Sequence, residues 1–244
     1  MSAVIVEFKQ LVKPKLKRPV LVEGFPGVGM VGTISSAYLA EKMQMTLVGY
    51  IQSSHFPPIA AIHNFIPVSP ARIYASEKYD LIVLFSEFII PAEVVYELSQ
   101  RILQFAKENN ASAIYSLAGI ATPKPDQRIY GIASTKKMGE QLKKQGIQLI
   151  KEGATQGVSG VLISECAARN FPAANLLVQT SSPMEPAGSA KLLDKLSELV
   201  RIPVDTKPLL AEGKVIEQRI KDSMEKIKSL HSKYSQMDSN PAYG

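Results

Sequence analysis

Short uninterrupted apolar runs alternate along the chain with longer stretches whose apolar residues recur at helical spacing. The apolar runs predict strands at residues 19–23, 46–52, 81–85, 113–117 and 175–179, with a further strand near Ile129. Helical spacing predicts helices at residues 28–43, 91–107, 136–144 and 158–169. The first three elements form a strand, helix and strand unit. This alternation predicts an α/β protein whose mainly parallel sheet is covered on both faces.

The segment between residues 55 and 70 interrupts this alternation. It is rich in proline and contains His55 and His63. The alternation of residue types at residues 59–62 is enough to predict one short strand there. It is therefore predicted to be an elaborated loop. No Gly/Ser linker divides the chain, so we predict one α/β domain at residues 1–205, followed by a tail at residues 206–244.

The tail is predicted to form a long amphipathic helix from Ala211 to about Met237. Its apolar residues recur near heptad spacing: Ile216, Ile220, Met224, Ile227, Leu230 and Tyr234. Two interpretations stay open, because this stripe could pack on its own domain or project into a homo-oligomer. Pro241 then ends the helix and leaves Ala242, Tyr243 and Gly244 on a mobile tip.

Composition narrows the possible functions. The chain has 244 residues, of which 45% are hydrophobic and 20% charged, and its net charge is +6. Basic residues are dense only at Lys13, Lys15, Lys17 and Arg18, which argues against nucleic-acid binding. No apolar run is long enough to span a membrane, and no targeting segment is evident at the N-terminus. We expect a soluble cytoplasmic protein, and the single cysteine fits a reducing compartment.

A glycine-rich segment at residues 27–32 satisfies G-x-G-x-x-G between a predicted strand and a predicted helix. A dinucleotide site also needs an acidic residue about twenty positions later for the ribose hydroxyls. The second strand ends instead in Gln52, Ser53, Ser54 and His55. We therefore favour glycines that let the helix pack closely on its strand, with no bound cofactor.

Other polar residues offer little catalytic chemistry. His55 and His63 lie 8 residues apart, His231 lies on the tail, and no carboxylate is placed to complete a metal site with them. Cys166 is expected to be a small buried hydrophobic residue on a helix. Ser86 and Glu87 lie at the end of a strand, at the edge where open α/β sheets bind ligands, but we favour the interpretation that this polar strand end caps the next helix.

The last three residues combine an aromatic ring with a carboxylate. At the very end of a chain, the α-carboxylate of Gly244 could pair with a lysine of a receiving pocket while the ring of Tyr243 fills an apolar slot. One such contact is worth roughly 1.5 to 3 kcal/mol. Several tails on one oligomer would bind much more tightly, because avidity exceeds single-site affinity by about a hundredfold to ten-thousandfold.

A set of segments in a fixed order resembles one family. They are VEGFPGVGMVG at residues 22–32, HFPP at 55–58, RIY at 72–74, DLIVL at 80–84, SEF at 86–88, YSLAGI at 115–120 and GVSG at 157–160. Together these segments resemble the archaeal members of the proteasome assembly chaperone family over about residues 5–200. The resemblance implies a three-layer α/β/α sandwich similar to the phosphorylase/hydrolase-like fold, self-association as a tetramer or pentamer, and no established catalysis.

The resemblance also implies a partner. Some archaeal relatives and many proteasome activators end in a hydrophobic-Tyr-any tripeptide that inserts between α-subunits of the proteasome core particle. Ala242, Tyr243 and Gly244 match this pattern, although Ala242 is a minimal hydrophobic residue. No Walker motif is present, so any activation should be independent of ATP. Alternatives are an enzyme that handles nucleotides through residues 27–32 and Glu87, or a structural partner of another chaperone-like subunit.

Overall fold

The computed structural model describes residues 5–63, 65–126 and 128–211, together with residues 215, 218, 222, 224–226 and 229–230. Its strands are β1 Val6–Gln10, β2 Val20–Gly24, β3 Thr46–Ser53, β4 Ala61–His63, β5 Ile66–Val68, β6 Ala71–Ser76, β7 Leu81–Ser86, β8 Ala113–Ala121, β9 Ile129–Ala133, β10 Gln148–Leu149 and β11 Ala173–Thr180. Its α-helices are α1 Val31–Lys42, α2 Val95–Glu108, α3 Lys136–Lys144, α4 Gly157–Ala168, α5 Pro186–Val200 and α6 Lys207–Ala211. Short 3₁₀ turns, Val28–Met30 and Ala92–Val94, lead into α1 and α2.

Among the described residues, nine strands form one sheet in the order β1-β3-β6-β7-β2-β8-β11-β9-β10. Strands β7, β2, β8 and β11 are parallel neighbours in the centre of the sheet. Antiparallel pairs flank them, with β6 and β3 on one side and β9 on the other. The predicted α/β class is confirmed, with parallel strands at the centre of a mixed sheet.

Helices cover both faces of this sheet. On one face α1, α3 and α5 pack on Val22, Tyr115 and Leu176. On the other face α2 and α4 pack on Leu21, Leu84 and Ile114. Successive side chains of a strand point to opposite faces, so the neighbours Leu21 and Val22 belong to different cores. The uninterrupted apolar runs of the sequence thus serve two cores at once.

The predicted strand, helix and strand unit is present with a topological difference. Strand β3 runs parallel to β2 in the same sheet, as the crossover through α1 requires. Strands β6 and β7 nevertheless lie between β2 and β3. Later segments of the chain have inserted between strands that are neighbours in the sequence, a result that local patterns do not predict.

The segment at residues 55–70 differs most from its prediction. Instead of one strand at residues 59–62, it contains the antiparallel pair β4 and β5, in which His63 lies opposite Ile66. This two-stranded hairpin is separate from the main sheet. Sequence patterns also gave no prediction for β1, β6, β10, α5 and α6.

The tail is described only in part. Leu209 of α6 is fully buried in the core beside α5, so packing on the domain continues past residue 205. The described residues between 215 and 230 are helical. A continuous helix from Ala211 to Met237 and the boundary after residue 205 stay predictions. Within the described part of the chain, no helix is both long and apolar enough to cross a bilayer.

Candidate functional site

Candidate chemistry gathers at the edge of the sheet where the parallel strands end. Strands β2, β7, β8 and β11 end at Gly24, Ser86, Ala121 and Thr180. Because these strands are parallel, their carboxyl ends lie at one edge, which is where open α/β sheets usually bind ligands. Both the glycine-rich segment and Glu87 lie at this edge.

The glycine-rich segment is covered by protein at its second glycine. Gly29 has φ = +65°, and a Cβ there would lie 2.7 Å from Thr180 Cγ2. The N–H of Glu185 donates a hydrogen bond to the carbonyl of Gly29 at 2.8 Å. In a dinucleotide site, the pyrophosphate approaches the backbone at this glycine. Here the segment after β11 occupies that approach.

The third glycine of the segment, Gly32, supports the packing interpretation directly. A Cβ on Gly32 would lie 2.4 Å from the carbonyl oxygen of Leu117, and one on Gly24 would lie 2.1 Å from the carbonyl of Gly32. Only the absence of side chains lets the first turn of α1 lie this close to β2 and β8. The glycine pattern is therefore accounted for by helix-on-sheet contact.

Glu87 is engaged in an ion-pair cluster at the end of β7. Its Oε1 accepts a hydrogen bond from Arg72 Nη2 and lies 2.9 Å from His63 Nε2. Arg72 is only 4% exposed, and its guanidinium lies 5.0 Å from the centre of the Phe85 ring. A carboxylate shared between Arg72 and His63 is poorly suited to act as a free base.

The structure contradicts the capping prediction for Ser86 and Glu87, and their role at the ligand-binding edge of the sheet stays a prediction. Ser86 donates its hydroxyl hydrogen bond to the carbonyl of Phe88 at 2.7 Å. The 3₁₀ turn before α2 begins after Pro91 without a side-chain cap. The pair therefore does not cap the next helix, and Glu87 instead links β6 and β7 to the hairpin.

The histidines receive different partners. Sequence spacing offered His63 no carboxylate, yet the fold brings Glu87 to it from 24 positions further along the chain. His55 Nδ1 lies 3.2 Å from Ser54 Oγ. Among the residues that the structure describes, no three metal-ligating side chains of His, Cys, Asp or Glu are grouped for a metal ion.

Glu23 is a buried carboxyl group that sequence reasoning overlooked. It lies opposite Ser116 of β8, which in turn lies opposite Asn175 of β11. Three polar residues therefore form a row across the neighbouring strands β2, β8 and β11. Glu23 and Asn175 are fully buried, and neither Glu23 Oε1 nor Asn175 Oδ1 has a hydrogen-bond partner in the described structure. Burial raises the pKa of Glu23, and the nearby hydroxyls of Ser116 and Ser159 offset part of that rise.

Cys166 lies in the core between α2 and α4, where the helix prediction placed a small hydrophobic residue. It is fully buried, and burial raises the pKa of its thiol to about 12, with a further contribution from the carboxylate of Glu165. A thiol that ionises so late makes a poor nucleophile at neutral pH. This agrees with a structural role.

An exposed apolar surface was also missed. The tip of the hairpin presents Ile62, Phe65 and Ile66 with exposed fractions of 66%, 100% and 62%. Beside the base of the hairpin lies a groove of about 800 Å³. The sequence gave a weak indication, since apolar residues occur within a segment otherwise typical of a loop.

The structure describes only some of the residues that the sequence singled out in the tail. Ala242, Tyr243 and Gly244, and the stripe residues Ile216, Ile220, Ile227 and Tyr234, lie outside the described residues. Met224 is half-buried and packs against the core that contains α1 and α5. Leu230 is 54% exposed. The stripe thus contains both a core contact and an exposed residue, and its two interpretations stay open.

Comparison with known proteins places these features in a family. A family model described as the PAC2 family matches residues 21–224. An uncharacterised protein of Methanocaldococcus jannaschii is 29% identical over 229 residues, which cover 93% of this chain and 94% of that relative.

Two solved structures extend the comparison. The crystal structure of Pyrococcus furiosus PbaA, an archaeal homolog of proteasome-assembly chaperone, superposes with a TM-score of 0.81 at 28% identity, covering 93% of this chain and 99% of that chain. Pyrococcus furiosus PbaB, an archaeal proteasome activator, superposes with a TM-score of 0.76 at 18% identity, covering 89% and 98%. At 18% identity, the similarity to PbaB shows that the two proteins share a fold.

Proposed function

The chain belongs to the PAC2 family, and from this premise we propose that it is a proteasome-assembly chaperone homolog or an ATP-independent proteasome activator. The observation that carries the proposal is the similarity to PbaA along 93% of this chain. On this proposal the protein acts by binding the α-subunits of a core particle, as a homo-oligomer, and not by catalysis.

The carboxyl edge of the sheet supports a binding role. Where a nucleotide phosphate would approach the backbone, Gly29 is in contact with Thr180 and Glu185. Where a general base would act, Glu87 is paired with Arg72 and His63. Both groups of the rival nucleotide-handling enzyme are therefore occupied by contacts within the chain.

The docking element we propose is Ala242, Tyr243 and Gly244. The ring of Tyr243 would enter an apolar slot between α-subunits, with its hydroxyl hydrogen-bonded at the far end. Where Gly244 carries a free carboxylate, that group would pair with a lysine of the slot. Several tails on one oligomer would then bind together.

The test compares the full chain with a variant that lacks Tyr243 and Gly244, using peptide hydrolysis by cognate core particles and the yield of assembled core particles as readouts. We expect the deletion to abolish the effect on both. The matched control is His231→Ala, which changes the tail upstream of the tripeptide and should keep the effect. Full stimulation by the deleted chain would rule out docking through the tripeptide, and capture of a different chaperone-like protein would favour a structural partner.

A further inference from the structure

The hairpin of β4 and β5 carries an apolar tip that the isolated chain leaves uncovered. We call Ile62, Phe65 and Ile66 the knob; each is more than half exposed. Aromatic side chains offer roughly 150–250 Å² each, so the knob exposes on the order of 400 Å² of mostly apolar surface. A patch of this size on one small loop is typical of an interaction surface.

The backbone at the tip makes Phe65 unfavourable for the isolated chain. Two residues connect His63 to Ile66, and Phe65 has φ = +65°. Two-residue hairpin loops favour glycine in this conformation, because a side chain there is strained. Phe65 is also 100% exposed, so it gains no burial in return. Its contribution must lie outside the isolated chain.

The knob is held in place by its base. His63 Nε2 lies 2.9 Å from Glu87 Oε1, and Arg72 donates to the same oxygen from within the sheet. Ala61 is only 9% exposed. The hairpin therefore presents its tip from an anchored base, which lowers the entropy lost on binding.

The groove lies at the base of the hairpin. It has a volume of about 800 Å³, and among the described residues that line it Glu7 alone is charged, while Gln52, Ser53, Ser54 and Ser69 are polar. Its apolar lining includes Ile5, Ile51, Phe56, Pro57, Ile59 and Phe88. Ile51, Phe56 and Phe88 belong to the core under α2 and α4, whereas Arg72 of the anchor stacks on Phe85 of the opposite core. The groove and the anchor of the knob thus lie towards opposite faces of the sheet.

We infer that the knob of one copy of this chain inserts into the groove of a second copy. The knob is uncharged and apolar, and the groove of the same chain offers apolar side chains beside uncharged polar ones, so the contact buries no charge besides that of Glu7. Since the two surfaces differ, one contact leaves a knob and a groove free, and repeating it extends a filament or closes a ring, of which a reciprocal pair is the smallest. This inference rests on the homo-oligomer of the proposed function and assigns its interface.

The available area favours a closed assembly, in which each chain uses both surfaces, over a single contact. One knob in one groove buries on the order of 800 Å² in total, below the roughly 1,200–2,000 Å² of a stable interface. A chain that uses both its knob and its groove makes two such contacts and reaches that range. Closure of the ring then adds stability that no single contact supplies.

Two variants of the full chain test the knob and the groove separately. Phe65→Gly removes the aromatic ring of the knob, its most exposed side chain, and relieves the strained backbone, so the chain should fold at least as stably. Ala60→Arg places a long charged side chain at an exposed position in the groove lining. Leu11→Asp is the control, since Leu11 is 47% exposed and lies outside the groove lining.

Native mass spectrometry and sedimentation measure the assembly. We expect an oligomer for the wild type and for Leu11→Asp, and a rise of at least about tenfold in the half-assembly concentration for each interface variant. Mixing Phe65→Gly with Ala60→Arg at high protein concentration should give a 1:1 pair, because one chain keeps its groove and the other its knob. This pair should be weaker than the wild-type assembly, since it has only one contact. The thermal midpoint of Phe65→Gly should equal or exceed that of the wild type.

Every other result overturns the inference. A monomeric wild-type protein would show that the inferred interface does not form. An unchanged assembly in either variant shows that its surface is not used. Failure of the mixture to pair even at high protein concentration shows that knob and groove do not meet. The proposed function fails separately, through the tripeptide deletion, which leaves the assembly intact.

Discussion

Glu23 shows at the scale of one residue how burial controls chemistry. Its carboxyl group lies on a central strand with no exposed surface, and one hydrogen bond, from the N–H of Phe25 at 3.3 Å, reaches its Oε2. Charging a group in such surroundings is unfavourable, so burial raises its pKa above the ordinary value of 4.5. Because Gln keeps the shape without the charge, the residue offers a direct test.

We predict that Glu23→Gln changes the pH dependence of stability. The pKa of Glu23 is higher in the folded state than in the unfolded state. Its contribution to stability is therefore fully present below the unfolded-state pKa, and it is lost as pH rises through the folded-state pKa. The wild-type free energy of unfolding should therefore fall by up to about 1.4 kcal/mol per pH unit above pH 4.5 relative to the variant. Urea unfolding across pH 4–8 measures this. Glu140→Gln, at an exposed position, is the control; parallel curves for wild type and Glu23→Gln would contradict the prediction.

Cys166 gives a second prediction for a single residue. Because its thiol is fully buried and burial raises its pKa to about 12, it should resist an aromatic disulfide reagent at pH 8 in the native protein and react fully in urea. Cys166→Ser should lower the free energy of unfolding by about 1–3 kcal/mol, since it buries a hydroxyl. Rapid labelling of the folded chain would show that the thiol is accessible.

At the scale of elements, glycines determine how closely α1 lies on the sheet. We predict that Gly32→Ala lowers the free energy of unfolding by about 1–3 kcal/mol, because its Cβ would lie 2.4 Å from a backbone oxygen that cannot easily move. Gly27→Ala is the matched control from the same motif, since a Cβ there meets nothing within 4 Å. Its effect should stay within about 0.5 kcal/mol in thermal or urea unfolding. Equal effects at both positions would argue against the packing role.

The Arg72 and Glu87 pair joins the hairpin to strands β6 and β7. Arg72→Met should lower the free energy of unfolding by about 3 kcal/mol, because Glu87, with a side chain only 15% exposed, would lose its main partner. The double variant with Glu87→Gln should recover most of that loss, which a double-mutant cycle measures. Glu108→Gln breaks the more exposed pair with Arg101 and should change stability by less than about 1 kcal/mol. An Arg72→Met effect as small as this control would show that the pair does not stabilise the hairpin.

At the scale of the whole molecule, the proposed docking depends on several tails acting together. Single contacts of this kind are weak, and linked contacts exceed them by about a hundredfold to ten-thousandfold. If the hairpin holds the subunits together, Phe65→Gly should reduce stimulation of the core particle even though its own tail is intact. The measurement is the protein concentration that gives half-maximal peptide hydrolysis, which should rise at least about tenfold. Equal half-maximal concentrations would indicate that one tail suffices.

Local sequence was enough to predict those strands and helices whose pattern of apolar residues does not depend on the elements they contact. Strand β7 is apolar from Leu81 to Phe85, and α2 places Leu98 and Ile102 in the core, as their spacing indicated. Strand β6 was not predicted, because Arg72 interrupts an otherwise apolar run. A buried arginine is tolerated there only because Glu87, which directly follows the neighbouring strand β7, reaches it.

The sequence alone determined the α/β class, the central strands, the main helices and the family resemblance, because each depends on residues a few positions apart or on the order of short segments. Only the tertiary structure decided which strands are neighbours, that Glu87 binds His63 and Arg72, that the glycines at the start of α1 serve packing, and that the hairpin exposes Phe65. These features arise from contacts between residues far apart in the chain, whose distances are fixed when the two cores close around the sheet.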